Sequence, residues 1–424
     1  MSIDTLDRES LGSLLSTQRA AYEDLRSRGL ALDITRGKPS PAQLDLSHEL
    51  LSLPGDGDYR SADGTDTRNY GGLEGLVELR EIFSELLGVP VAQLLAQGNS
   101  SLTLMHDTLV WALLHGFPES SRPWAAEETV RFLCPVPGYD RHFTLLESFG
   151  IEMIPVDMRE DGPDLDQVAG LVATDPTIKG MWLVPTYANP TGGVTSPEVA
   201  ARLMAMPAAA PDFRLFWDNA YAVHHLSDEE SAASDVLSVA AAGGHPDRVL
   251  IFASTSKITY AGAGVAFFGS SPANVAWFKS HLKFASIGPD KVNQLRHVRL
   301  FRDADGVRAL MRRHRDLLAP KFDVVDEVLR DRLGPHDVAT WTRPTGGYFV
   351  SLDVVDGTAA RVVELAKGVG VALTPAGASF PYGKDPRDRN IRIAPSFPSV
   401  DDVRAAMEVL ATCVLLAAAE KALA

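Results

Sequence analysis

Residues 1–30 place Leu11, Leu14, Leu15, Tyr22 and Leu25 at helical spacing, and the Gly- and Pro-bearing stretch TRGKPSP (35–41) ends that pattern. Leu73, Leu76, Leu79 or Arg80, and Phe83 predict a second helix across 72–87. The pattern then changes. VRFLCPV (130–136), GMWLVPTY (180–187), FRLFWDNAY (213–221) and RVLIFAST (248–255) are near-continuous apolar runs separated by helix-like stretches. A strand apolar on both faces needs cover on both faces, so these runs predict a mostly parallel sheet sandwiched by helices, an α/β fold. Residues 305–333 read as one long helix, and 341–354 and 390–397 as strands of a smaller α+β unit. The apolar run Val409–Ala419 is too short to span a bilayer and reads as a buried C-terminal helix. The first helix precedes the large pattern and is expected to join the smaller unit. The expected organisation is a large domain over 55–305 and a small domain made of 1–54 with 306–424.

Composition narrows the partners. Among 424 residues, 40 Lys+Arg face 55 Asp+Glu, a net charge of -15 that repels nucleic acid and anionic membrane. The two cysteines, Cys134 and Cys413, are too few for a disulfide framework. The 11 histidines are scattered, with no Cys/His cluster at metal-ligand spacing, so no metal is expected. The start, MSIDTLDRES, is polar and acidic, unlike a secretory signal. A soluble cytoplasmic protein is the expectation.

Functional groups on parallel sheets lie just past the carboxyl ends of strands, and four polar segments fall there. STSKITYAGAGVAFFG (254–269) puts Lys257 after a strand, with the Ser254 and Ser256 hydroxyls beside it. A lysine desolvated in a cleft becomes a usable nucleophile; a lysine in this place can equally be a surface residue. PTYANPTGG (185–193) carries Asn189 in what is first of all a turn. WDNAY (217–221) ends an apolar strand on Asp218, which needs a cationic partner if buried and is otherwise a helix cap. IRIAPS (391–396) sets Arg392 inside an apolar strand, where its fork suits either a bound carboxylate or a structural ion pair.

Taken together and in order, Asn189, Asp218, Tyr221, Lys257 and Arg392 resemble the class I aminotransferases, pyridoxal 5'-phosphate (PLP) enzymes with the aspartate aminotransferase fold, over about Gly37 to Ser396. The resemblance implies that Lys257 is the Schiff-base lysine and proton shuttle. Asp218 would partner the pyridine nitrogen, Asn189 and Tyr221 would donate to the cofactor's phenolic oxygen, and Arg392 would clamp the substrate α-carboxylate. Tyr139 in PVPGY is similar to the aromatic that stacks on the cofactor ring. Asn99, Ser100 and Ser101 in QGNSSLTLMHD match the phosphate loop before a helix, whose N-terminus favours anions. Tyr70 in NYGGLEG is similar to a tyrosine that reaches the phosphate from a neighbouring subunit, which implies a homodimer with shared active sites. Gly37 in TRGKP matches the glycine that lies over the substrate, and PTGGYF (344–349) a small-domain strand.

Three departures stand out. The family carries a phosphate-binding arginine about eight residues after the lysine, where this chain reads AGAGVAFF without a basic residue. The usual Asp-Glu-Ala-Tyr reads Asp-Asn-Ala-Tyr, with Asn219, and two cations, Arg36 and Lys38, flank Gly37. These features are similar to a divergent bacterial subgroup of aspartate aminotransferases. The resemblance implies amino-acid and 2-oxo-acid substrates, most closely aspartate or glutamate with 2-oxoglutarate or oxaloacetate. Arg36, Lys38, Arg68 and Arg141 are the candidates for a distal carboxylate. Other reactions of the same fold, such as aromatic or alanine transamination or β-elimination, share these motifs. An aminotransferase-like regulator would need a DNA-binding module, for which the segment ahead of Thr35 is too short. The lone Gly-rich turn at 262–264 lacks dinucleotide spacing.

Overall fold

The computed structural model describes residues 3–231 and 233–424. Among the described residues thirteen strands occur in chain order: β1 Leu32–Asp33, β2 Leu94–Ala96, β3 Arg131–Val136, β4 Glu152–Arg159, β5 Gly162–Pro163, β6 Ile178–Leu183, β7 Arg214–Asp218, β8 Val249–Ser254, β9 Ala266–Ser270, β10 Ala339–Trp341, β11 Val350–Val354, β12 Val371–Ala372 and β13 Asn390–Ile393. Eight of them form one sheet in the order β2-β9-β8-β7-β6-β3-β4-β5. Neighbours from β8 through β4 are parallel, while β9 is antiparallel to both β8 and β2 and β5 is antiparallel to β4. The sheet is thus mostly parallel, as the apolar runs predicted.

Alternation along the strands builds the layers. Met181, Leu183, Leu215 and Trp217 join a core with the helices Val77–Leu87, Pro197–Ala205 and Lys291–Phe301. Their neighbours Trp182 and Phe216 point the other way, into a core with the helices Ser101–His115, Asp140–Ser148 and Pro272–Ala285. A further core lies around the antiparallel sheet β10-β11-β13. There Leu11 and Leu25 of the first helix, Arg8–Ser27, meet the long helix Ala304–Leu333 and the C-terminal helix Val400–Leu423. The parallel pair β1–β12 ties the chain after the first helix to this unit. No helix among the described residues is long and apolar enough to cross a membrane.

The strands expected over 180–187, 213–221 and 390–397 end earlier, at Leu183, Asp218 and Ile393, and two further elements differ more. The helix expected from 72 begins only at Val77. Gly75 takes φ +81°, and the Leu76 N–H donates to Gln294 Oε1 at 2.7 Å instead of entering a helix. Leu79 and Phe83 still bury one face, but Leu73 and Leu76 precede the helix. The strand expected over 341–354 is a hairpin: β10 ends at Trp341 and β11 starts at Val350, with a PTGG turn in which Gly347 has φ +83°.

Candidate active site

The carboxyl ends of the parallel strands bring the candidate residues to one edge of the sheet. Tyr139 follows β3, Asn189 follows β6, Asp218 closes β7 with Tyr221 just beyond, and Lys257 follows β8. β2 is antiparallel to β9, which is antiparallel to β8, so β2 runs in the direction of β8 and delivers Ser100 and Ser101 to the same edge. There a cavity of about 180 Å³ is lined by Ser100, Ser101, Tyr139, Asn189, Asp218, Tyr221, Ser254, Ser256 and Lys257. A larger cavity, about 1350 Å³, lies between Asp157–Asp161, Thr340–Thr345 and Phe380–Asn390. It holds neither the lysine nor the aspartate, so size does not locate the chemistry; the convergence of polar groups does.

Asp218 is 4% exposed. Its Oδ2 accepts from His142 Nε2 at 2.9 Å, and its Oδ1 is buried without a partner. An orphaned buried carboxylate oxygen is costly unless a donor arrives, and a protonated ring nitrogen supplies one. His142 is itself clamped by stacking on Trp182, with centroids 4.2 Å apart and planes 9° from parallel. Lys257 Nζ lies 4.7 Å from the Tyr221 ring centroid. Burial lowers its pKa below the ordinary lysine value, and the Asp218 charge partly opposes this. Behind it, Tyr348 Oη donates to the Lys257 carbonyl at 3.4 Å and accepts from Gln43 Nε2 at 2.9 Å. Desolvation also pushes Tyr139 up to about 12 and Tyr221 well above the ordinary phenol, so both stay protonated donors.

The end of the cavity lined by Ser100, Ser101, Ser254 and Ser256 is built from neutral groups. Ser254 Oγ donates to Ser256 Oγ at 3.0 Å, and Ser256 Oγ donates to the Asn99 carbonyl at 3.3 Å. Ser100 caps the helix Ser101–His115, whose N-terminus faces the cavity through Ser101. Asn99 does not line the cavity; its amide donates to the Ala261 carbonyl at 3.2 Å. Eight residues after Lys257 stands Val265, buried, with its N–H donating to Thr255 Oγ1 at 2.9 Å. Asn293 Nδ2 donates to the carbonyls of Ala263 and Gly264 and holds this turn. Among the described residues, Lys257 is the only cation lining the cavity.

Arg392 is 6% exposed, on β13. It donates from Nη1 to Asp140 Oδ1 at 2.8 Å and Asn189 Oδ1 at 3.4 Å, and from Nη2 to Thr374 Oγ1 at 3.5 Å. Both alternatives left open for this arginine are therefore in view: it has an ion pair, and it sits beside the cavity. Its carbon Cζ lies 5.1 Å from the Phe349 ring centroid, and a Cβ on Gly37 would come within 2.5 Å of the same ring. A side chain at position 37 would make the Phe349 ring or the TRGKP segment shift.

The other candidates scatter. Tyr70 is 82% exposed and does not line the cavity of its own chain; it sits in a loop that Lys291 holds by donating to the carbonyls of Asn69 and Gly71. Arg68 is committed to Asp66 by two hydrogen bonds, 2.9 and 2.7 Å, and stacks on Tyr59. Lys38 lies over the Phe397 ring at 4.0 Å, and Arg36 and Arg141 are exposed. His142, Asp140 and Thr374 were not singled out from the sequence. Nothing in a one-dimensional pattern separates His142 from the other histidines, since its partner is 76 residues away.

The chain is similar to a Mycolicibacterium smegmatis relative, 62% identical over 422 residues and 99% of each protein. It is 55% identical over 420 residues, 99% of this chain and 97% of the other, to the aspartate aminotransferase of Corynebacterium glutamicum. The crystal structure of an aspartate transaminase from that organism superposes with a TM-score of 0.98, covering 100% of this chain and 99% of the other. The family model described as aspartate amino-transferase matches residues 6–424, which takes in every strand end that faces the cavity. With that span and with relatives more than half identical along nearly their whole length, the chain belongs to the aspartate amino-transferase family.

Proposed function

We propose that this aminotransferase exchanges the amino group of L-aspartate with 2-oxoglutarate, giving oxaloacetate and L-glutamate, with PLP held in the cavity between Lys257 and Asp218. Aminotransferases of this fold depend in general on PLP. The observation that carries the reading is Asp218 Oδ1, buried and unpartnered in the cavity that Lys257 enters. Ser100, Ser101, Ser254 and Ser256 would hold the phosphate, Tyr139 the ring face, and Asn189 and Tyr221 the phenolic oxygen. When bound, the cofactor supplies an electron sink for the pair left on the substrate α-carbon.

The chain's own groups do the rest. Arg392 holds the α-carboxylate and so orients the Cα–H bond. Lys257 Nζ, its proton affinity lowered by burial, takes the Cα proton and later returns it. His142 occupies Asp218 Oδ2 and leaves Oδ1 for the ring nitrogen. Gly37 keeps the TRGKP segment close over Phe349, and Arg36, Lys38 and Arg141 are the cations open to a distal carboxylate. Aspartate is favoured by the name of the 55%-identical relative. A homodimer with shared sites is favoured by the exposure of Tyr70 together with Phe284 and Ile287, since the Tyr70 loop touches the chain at Gly288. A cytoplasmic location and a domain boundary near residues 55 and 305 belong to the same reading.

The test is an absorbance spectrum of the PLP-loaded protein with a donor and acceptor screen. Lys257→Ala should lose the visible band and lower aspartate transamination by about a thousandfold or more. A band that persists in that variant would overturn the assignment of Lys257. Activity with cysteine-type substrates but with no oxo-acid acceptor would overturn transamination itself.

A further inference from the structure

One short turn, PGYDRH, makes three separate contacts at the site. Tyr139 lines the cavity, Asp140 opens the helix Asp140–Ser148 and takes Nη1 of Arg392, and His142 takes Asp218 Oδ2. The arginine is thus not a free cation awaiting a ligand. Nη1 is committed to Asp140 at 2.8 Å and more loosely to Asn189, Nη2 has only a 3.5 Å contact with Thr374, and Nε is buried with no partner. A carboxylate binds a guanidinium best through two parallel hydrogen bonds along one edge of the fork. The edge left for it is Nε–Nη2, opposite the nitrogen that Asp140 holds.

We propose that Asp140 is a positioning residue of the substrate site: its carboxylate pins Nη1 of Arg392 so that the Nε–Nη2 edge is presented to the α-carboxylate. This role presupposes that Arg392 is the carboxylate anchor proposed above. The pair is electrically neutral, so carboxylate binding there draws on hydrogen-bond geometry more than on net charge. An amide at position 140 preserves that geometry, because its oxygen still accepts from Nη1.

The experiment uses the PLP-loaded enzyme. Calorimetric titration with succinate, a dicarboxylate with no amino group to react, is combined with steady-state kinetics. Asp140→Ala should raise the succinate Kd and the KM for both substrates by about tenfold, the size expected for one lost charge-assisted hydrogen bond, with a smaller change in kcat. Asp140→Asn should bring both back to within about twofold of the parent. Asp140→Ser, which suits a first helical turn but is too short to reach Nη1, should behave like the alanine variant if that one folds poorly. An unchanged or lower succinate Kd in Asp140→Ala and Asp140→Ser, or an asparagine variant as weak as alanine, overturns the role of Asp140. Arg392→Leu separates the two readings. Succinate binding that survives it overturns the anchor itself, whereas binding lost there but kept in Asp140→Ala overturns Asp140 alone.

Discussion

Gly37 shows how much one missing atom decides. Its place is taken up by the Phe349 ring, which also neighbours the Arg392 guanidinium and the Tyr221 ring. Gly37→Ala would force the ring to move or the TRGKP segment to lift, at a cost of about 1–3 kcal/mol typical of overpacking. The expected result is a rise of about tenfold in KM for amino acid and oxo acid alike, through displacement of Arg392, with the cofactor's visible band unchanged. Steady-state kinetics beside an absorbance spectrum read both. A variant with parental KM would show that Phe349 relaxes without moving the arginine. The glycine itself was legible from its motif, whereas its reason, an aromatic ring more than 300 residues away in the chain, was not.

Element by element, legibility followed how much of each helix or strand is buried. Val409–Ala419 reads as buried because no polar face interrupts it, and all eleven residues are indeed buried in the helix Val400–Leu423. That helix packs against the first and the long helices, away from the cavity. Leu410→Ala should therefore cost about 2–5 kcal/mol in urea unfolding while leaving kcat and KM of the folded fraction at parental values. Altered kinetic constants in that variant would mean that this core is coupled to the site. The start of the helix at Val77 was misread for the converse reason. Leu73 and Leu76 fall at helical spacing, but the Gly75 backbone and the Gln294 side chain supply an alternative partner that periodicity cannot register.

At the scale of the molecule, two buried histidines brace the lysine turn and make the fold acid-sensitive. His314 accepts at Nδ1 from Gln43 at 3.1 Å and donates from Nε2 to the Ile258 carbonyl at 3.0 Å. His297 lies 3.0 Å from Thr259 Oγ1 and donates from Nδ1 to the Asn293 carbonyl at 2.8 Å. Desolvation takes both down to about 4 from 6.5. Between those values the unfolded chain binds more protons than the native one, so stability is full above about pH 6.5 and is lost as pH falls towards 4. Each histidine accounts for about 3 kcal/mol of that loss. Urea unfolding at pH 7 and pH 4.5 should show the decline, and His297→Gln, which keeps a polar side chain but cannot be protonated, should reduce it. An equal decline in that variant would assign the acid sensitivity to other groups.

The chain by itself determined the layered α/β architecture, because runs apolar on both faces can be satisfied only inside a sandwich. It also determined the order of Asn189, Asp218, Tyr221, Lys257 and Arg392, because the first four stand at or just past strand ends and Arg392 interrupts an apolar strand, patterns that are local. Tertiary structure alone decided what each of these groups touches. His142 on Asp218, Asp140 on Arg392 of the smaller sheet, and Ser256 on the Asn99 carbonyl join strands and turns far apart in sequence. Hydrogen bonds depend on angstroms and angles, which hydrophobic periodicity does not encode; burial does follow from that periodicity, and it is the part of this protein that could be read in advance.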